Sequence, residues 1–178
     1  MNSIGKGVIK EMSFIDCCSS PMMTRYSIIH NPKPIVLPSN ILEIIEKLLW
    51  YAPNIKSAQS IPNPLIDDTT WAPTRFSVIL TQMGIDTTKD IVIGYPTLTQ
   101  TAFFTNDICT NCQKMIFTCP LNETYLKAFL RHTRNAIAHG HFQLIGNTII
   151  LFDYNGTVNN SIIKVDINKL YAALGGIL

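Results

Sequence analysis

Charge is scarce in this sequence. Asp, Glu, Lys and Arg make up 15% of the 178 residues, against 47% hydrophobic residues, a balance that excludes a disordered chain and provides for a proper core. The net charge of +2 is too small to announce nucleic-acid binding by its field, although a few local arginines could still meet RNA. No apolar run approaches the roughly 18 residues a membrane span needs. Lys10, Glu11 and Asp16 interrupt any signal-peptide core near the N-terminus. Repeats and low-complexity tracts are lacking as well. The expectation is a cytoplasmic chain with no membrane partner, whose five cysteines (Cys17, Cys18, Cys109, Cys112 and Cys119) are mostly reduced.

What is present is helical periodicity with a late switch to strands. Residues 1–38 carry no clear pattern and read as an N-terminal extension, with Pro32, Pro34 and Pro38 forcing an extended segment. Asn40 then caps a helix with Glu43 as its capping-box partner, and Ile41, Ile44, Ile45, Leu48, Leu49 and Ala52 form the apolar face before Pro53. The proline-rich stretch to Pro73 reads as a loop, and Thr74 to Met83 as a second helix stopped by Gly84. Asp86 to Gly94 suits a strand as well as a helix. Trp50, Tyr51, Trp71 and Tyr95 are expected at the core or its edge, since no basic residues interleave them as in a stacking surface for RNA.

The most informative stretch runs from Asn122 to His141. Asn122 can cap a helix on which Leu126, Phe129, Leu130, Thr133 and Ile137 recur at three- and four-residue steps as one buried stripe. Arg131, Asn135 and His139 are four apart and share another face, with Arg134 and Ala138 beside them. Gly140 is a natural stop. Three of the four histidines (His132, His139 and His141) cluster here. Beyond it, Phe142 to Ile145 and Thr148 to Phe152 flank the two-residue turn Gly146-Asn147, Asn155-Gly156 makes another turn, and Ser161 to Val165 reads as a third strand. Asp166 caps a final helix through Leu174, ended by Gly175-Gly176.

Arg134-Asn135-Ala136-Ile137-Ala138-His139 resembles the Arg-polar-x3-His signature of HEPN domains, all-helical, dimeric, metal-independent ribonucleases. The flanking Leu130 to Thr133, the Ala138-His139-Gly140 ending, and the hairpin and terminal helix that follow are similar to that family too, over residues 122–174. The resemblance implies a mostly α, HEPN-like helical bundle over residues 1–178, with a small antiparallel hairpin near the C-terminus. It also implies an endoribonuclease that forms a homodimer through the helix of Arg134 and His139, and a toxin or anti-phage role. Some such toxins have a nucleotidyltransferase antitoxin that modifies a tyrosine two residues past the motif histidine. His141 stands there in this chain, so an antitoxin or other regulatory protein would have to act differently. The alternative is a catalytically inactive HEPN module used for binding or dimerisation.

The residue types suit the chemistry. Cleavage without a metal needs a base for the ribose 2′-OH, an acid for the leaving 5′ oxygen and a positive group at the phosphorus. Histidine serves the first two and arginine the third. Arg134, Asn135 and His139 are therefore the candidate catalytic set, with Arg131, His132 and His141 as candidates for RNA contact. Five residues rotate a helix by about 140°, so Arg134 and His139 do not stack within one chain, and a two-fold pairing of motif helices is the expected remedy. No cofactor is expected. Cys109-x-x-Cys112 has the spacing of half a zinc site, but the rest would have to come from Cys119 with Cys17, Cys18 or His30, and no second paired spacing exists.

Overall fold

The computed structural model describes residue 18 and residues 23–25, 36–51, 64–94, 107–156 and 158–178. The readings that fell on Cys17, His30 and Tyr95 lie outside these residues. Within them the first helix is α1 (Ser39–Tyr51), followed by the single turn α2 (Pro64–Asp67) and by α3 (Ala72–Met83). Helix α1 buries Ile41 and Leu48 and packs Ile44 and Ile45 against the core. Its apolar stripe is narrower than the periodicity predicts, because Leu49 is exposed; Trp50 and Trp71, expected at the core or its edge, are exposed as well, Trp71 at 56%. Helix α3 ends where expected, at Gly84.

The strands are β1 (Met23–Arg25), β2 (Ile91–Gly94), β3 (Asp107–Cys109), β4 (Lys114–Thr118), β5 (Phe142–Ile145), β6 (Thr148–Asn155) and β7 (Val158–Asp166). Between β4 and β5 lies α4 (Tyr125–Ala138), and after β7 comes α5 (Ile167–Gly175). Strands β1 and β3 form an antiparallel pair; the other five form one sheet in the order β2-β4-β7-β6-β5. Its β2–β4 pair is parallel and its remaining pairs antiparallel. Helix α4 lies on one face of this sheet, against β4, β6 and β7, and α1 and α3 pack against α4 while α5 packs against α1 and α3.

The expected mostly helical bundle is therefore corrected to a mixed α/β architecture, a helical layer on a five-stranded mixed sheet. The three C-terminal strands stand as the sequence indicates, but as three-fifths of a larger sheet. Three short strands, β1, β3 and β4, escaped the pattern. All five residues of β4 are buried, so its Met115-Ile116-Phe117 run shows no alternation, and a short apolar run does not distinguish strand from helix or loop.

Burial on both faces follows the two-residue period of strands. Met115, Phe117, Ile149, Leu151, Ile163 and Val165 join the helical core. There Phe76, Phe117 and Phe129, from α3, β4 and α4, meet with ring centroids 6.0–6.4 Å apart, a spacing typical of aromatic contacts. The intervening Ile116, Ile150, Phe152, Ile162 and Lys164 are buried on the opposite face. The Cys109 to Cys112 segment runs over that face, since the Lys164 ammonium donates to the Cys109 carbonyl and Thr148 Oγ1 to the Thr110 carbonyl.

Candidate active site

The ends of α4 set the geometry of the site. Thr124, two residues after the expected Asn122, is the N-cap, and its hydroxyl oxygen accepts from the Lys127 N–H. At the other end Gly140 takes φ +68°. The N–H of His141 donates to the Ala136 carbonyl and that of Gly140 to the Ile137 carbonyl, the paired bonds of a Schellman motif. A bond from the Phe152 N–H to the His141 carbonyl (2.9 Å) then ties this turn to β6. His139 and His141 thus flank a fixed reversal of the backbone.

Arg131, Asn135 and His139 do share a face. They line an open cleft of about 380 Å³ with His141, Asp153, Tyr154, Gly156 and Asn160. The rings of His139 and His141 stack at 5.5 Å, and His141 stacks on Tyr154 at 4.3 Å. Successive strand residues ordinarily point to opposite faces. Asp153 and Tyr154 both reach the cleft at a register shift in the β6–β7 ladder, opposite the stretch that carries Asn160. Such bulges re-aim side chains near active sites.

Beneath the cleft floor lies a polar chain. His132, from the candidate RNA contacts, is fully buried and is withdrawn from that surface role. Its Nε2 lies 2.8 Å from the Thr118 carbonyl oxygen and 3.2 Å from the Thr118 hydroxyl. A carbonyl oxygen has no hydrogen, so Nε2 donates in the shorter bond. Nδ1 lies 2.6 Å from Asp153 Oδ2, which also accepts from Asn135 Nδ2 at 3.2 Å. Burial pushes the Asp153 carboxyl up, but the hydrogen bond and charge of His132, the Asn135 amide and the Arg131 charge outweigh it, and the group sits below its ordinary 3.8. Asp153 is in this way an ionised anchor for Asn135.

The two arginines differ. Arg131 faces the cleft but is held by Glu123, with Nη2–Oε2 at 2.8 Å and Nε–Oε1 at 3.0 Å; the Glu123 side chain is only 6% exposed. Arg134 does not line the cleft of its own chain. Its Nη1 donates to Asn135 Oδ1 at 3.2 Å, and its Nε is buried with no hydrogen-bond partner among the described residues. The 140° rotation expected between Arg134 and His139 is visible in this separation.

Sequence reasoning missed Asp153, Tyr154, Asn160 and Glu123. An acid directly after the apolar run Ile149 to Phe152 was the one available signal, since a charge in a buried strand demands partners. Of the cysteines proposed together, Cys119 lies apart. Its thiol donates to the Glu123 carbonyl at 3.3 Å, and burial together with the Glu123 charge pushes it up to about 11. Such a thiol stays protonated and makes a poor metal ligand.

A helix that ends in paired histidines on a sheet-backed cleft, with an arginine five residues before the first of them, defines the class of protein. The family model described as HEPN pEK499 p136 matches residues 19–177, and the chain belongs to that HEPN family. Membership is consistent with a ribonuclease or a nucleotide-related toxin or defence function. No curated protein and no solved structure matches the chain. Among the described residues no helix is long and apolar enough to cross a membrane.

Proposed function

We propose that this protein is an endoribonuclease whose chemistry uses no metal, acting in the cytoplasm as a toxin or anti-phage effector. The observation that carries the reading is His139 at the open end of α4, facing the cleft with Asn135 and Arg131 one and two turns behind it. His139 takes the proton from a ribose 2′-OH, the 2′ oxygen attacks the adjacent phosphorus, and the 5′ oxygen leaves with a proton delivered by the second motif histidine of the proposed dimer. The products are a 2′,3′-cyclic phosphate and a 5′-OH. Arg134 meets the developing negative charge on the phosphate, and the amide of Asn135, held by Asp153, orients phosphate or imidazole. His141, stacked on Tyr154, contacts the RNA with Arg131.

One chain offers a single histidine of this kind and an arginine directed away from it. A homodimer through α4 supplies a second pair, so that one protomer's Arg134 serves the cleft of its partner. A regulatory protein such as an antitoxin would act by covering this cleft. The runner-up, an inactive binding or dimerisation module, draws on the Arg134–Asn135 hydrogen bond, which occupies both side chains within one protomer.

The test is incubation of the wild type and of His139→Ala with single-stranded RNA in EDTA. Expected are cyclic-phosphate ends from the wild type and a loss of about 10²–10⁴-fold in the variant. Intact RNA with a persistent dimer would favour the binding module. In cells, induction of the wild type is expected to arrest growth and fragment RNA, and His139→Ala to do neither.

A further inference from the structure

On the sheet face opposite α4, three sulfurs that the cleft does not use come together. The Sγ atoms of Cys18, Cys109 and Cys112 all lie within 4.8 Å of one another, and those of Cys18 and Cys109 are 3.7 Å apart. Four sulfurs at about 2.3 Å from a tetrahedral zinc are separated by about 3.8 Å, so this spacing is that of a tetrahedron's edge. Cys109 and Cys112 are separated by two intervening residues, the usual ligand spacing of a zinc knuckle.

Donors point at two of these sulfurs. The backbone N–H of Asn111 donates to Cys109 Sγ at 3.3 Å, and the Lys164 ammonium donates to Cys112 Sγ at 3.2 Å. Sulfur accepts hydrogen bonds well as a thiolate, and donors aimed at ligand atoms are what orients a metal site from its outer shell. Lys164 is fully buried, so its interaction with the cluster is little screened by water. A zinc held by three or four thiolates has a net negative charge, which a buried ammonium offsets.

We propose that the reduced protein binds one zinc ion through Cys18, Cys109 and Cys112, a structural site independent of the cleft chemistry. Cys112 is disulfide-bonded here, to neither Cys18 nor Cys109, so that bond has to be reduced before Cys112 can ligate. A dithiol reductant breaks that S–S bond, supplies two electrons and two protons and is itself oxidised to a disulfide. Each thiol that then ligates zinc releases its proton to solvent. Met23 of β1 pairs with Cys109 of β3, so the ion fastens the N-terminal segment to the sheet at a second point beside that ladder.

The experiment uses the full chain purified with a dithiol reductant, loaded with zinc and desalted. Elemental analysis is expected to find one zinc per chain, absent after oxidation. Cobalt in its place is expected to show thiolate-to-metal charge transfer with the strong visible bands of tetrahedral coordination. Cys109→Ser and Cys112→Ser are expected to abolish uptake, and Cys119→Ser to keep it. Reduced wild type without stoichiometric zinc overturns the proposal, as does a cobalt spectrum lacking thiolate charge transfer, which would place the ion on the His139–His141 pair. Uptake unchanged in Cys109→Ser also overturns it. Should the variants fail to fold, the two wild-type readouts decide.

Discussion

Single residues under the cleft govern it more than those on its rim. His132 joins β4 to β6 through Thr118 and Asp153 and is fully buried. Removing it leaves the Asp153 carboxylate without its closest partner, so His132→Ala is expected to cost about 1–3 kcal/mol or more in urea unfolding. Asp153 also ties stability to pH. Its folded pKa lies below the ordinary 3.8, so its contribution is present above about pH 4 and is lost as the pH falls through the folded value. Among the charged groups around it, His132 and Arg131 favour the ionised form. Asp153→Asn is therefore expected to flatten the acid limb of the stability–pH curve, measured by denaturant midpoints between about pH 2 and 6.

At the scale of elements, α4 is the part whose ends matter most. Gly140 at φ +68° makes the reversal that separates His139 from His141. A Cβ is strained in this conformation, so Gly140→Ala is expected to lower stability by about 1 kcal/mol and to weaken RNA cleavage beyond the stability loss. Thr124→Ala at the other end removes the hydroxyl that accepts from Lys127. A similar loss of about 1 kcal/mol is expected there, with cleavage by the folded fraction unchanged. Thermal unfolding beside single-turnover cleavage separates the two cases. The helix and its glycine stop were legible from periodicity because α4 keeps a polar face toward the cleft while its apolar residues recur at helical steps. Strand β4 was not, because a strand buried on both faces carries no alternating signal.

For the whole molecule, stability rests on the layer between helices and sheet. Phe129 touches Phe76 and Phe117 across that layer, and Phe129→Ala is expected to cost about 3–5 kcal/mol, read as a shift in denaturant midpoint. The proposed two-fold arrangement makes a separate prediction. Sedimentation is expected to show a dimer, and specific cleavage activity to fall on dilution as the dimer dissociates. A monomer with full activity would rule that arrangement out.

Local pattern alone determined a good deal of this protein. The amphipathic α1, α3 and α4, the hairpin at Gly146-Asn147, the Asp166 cap and the shared face of Arg131, Asn135 and His139 all depend on contacts within a few residues, which periodicity records. Only the tertiary structure decided that the helices cover a five-stranded sheet and that His132 points inward. It alone brought Asp153 and Tyr154 to the cleft and set Cys18 beside Cys109 and Cys112 while leaving Cys119 elsewhere. Each of these depends on residues tens of positions apart in the chain meeting across the sheet, and no local spacing encodes which strand will pair with which.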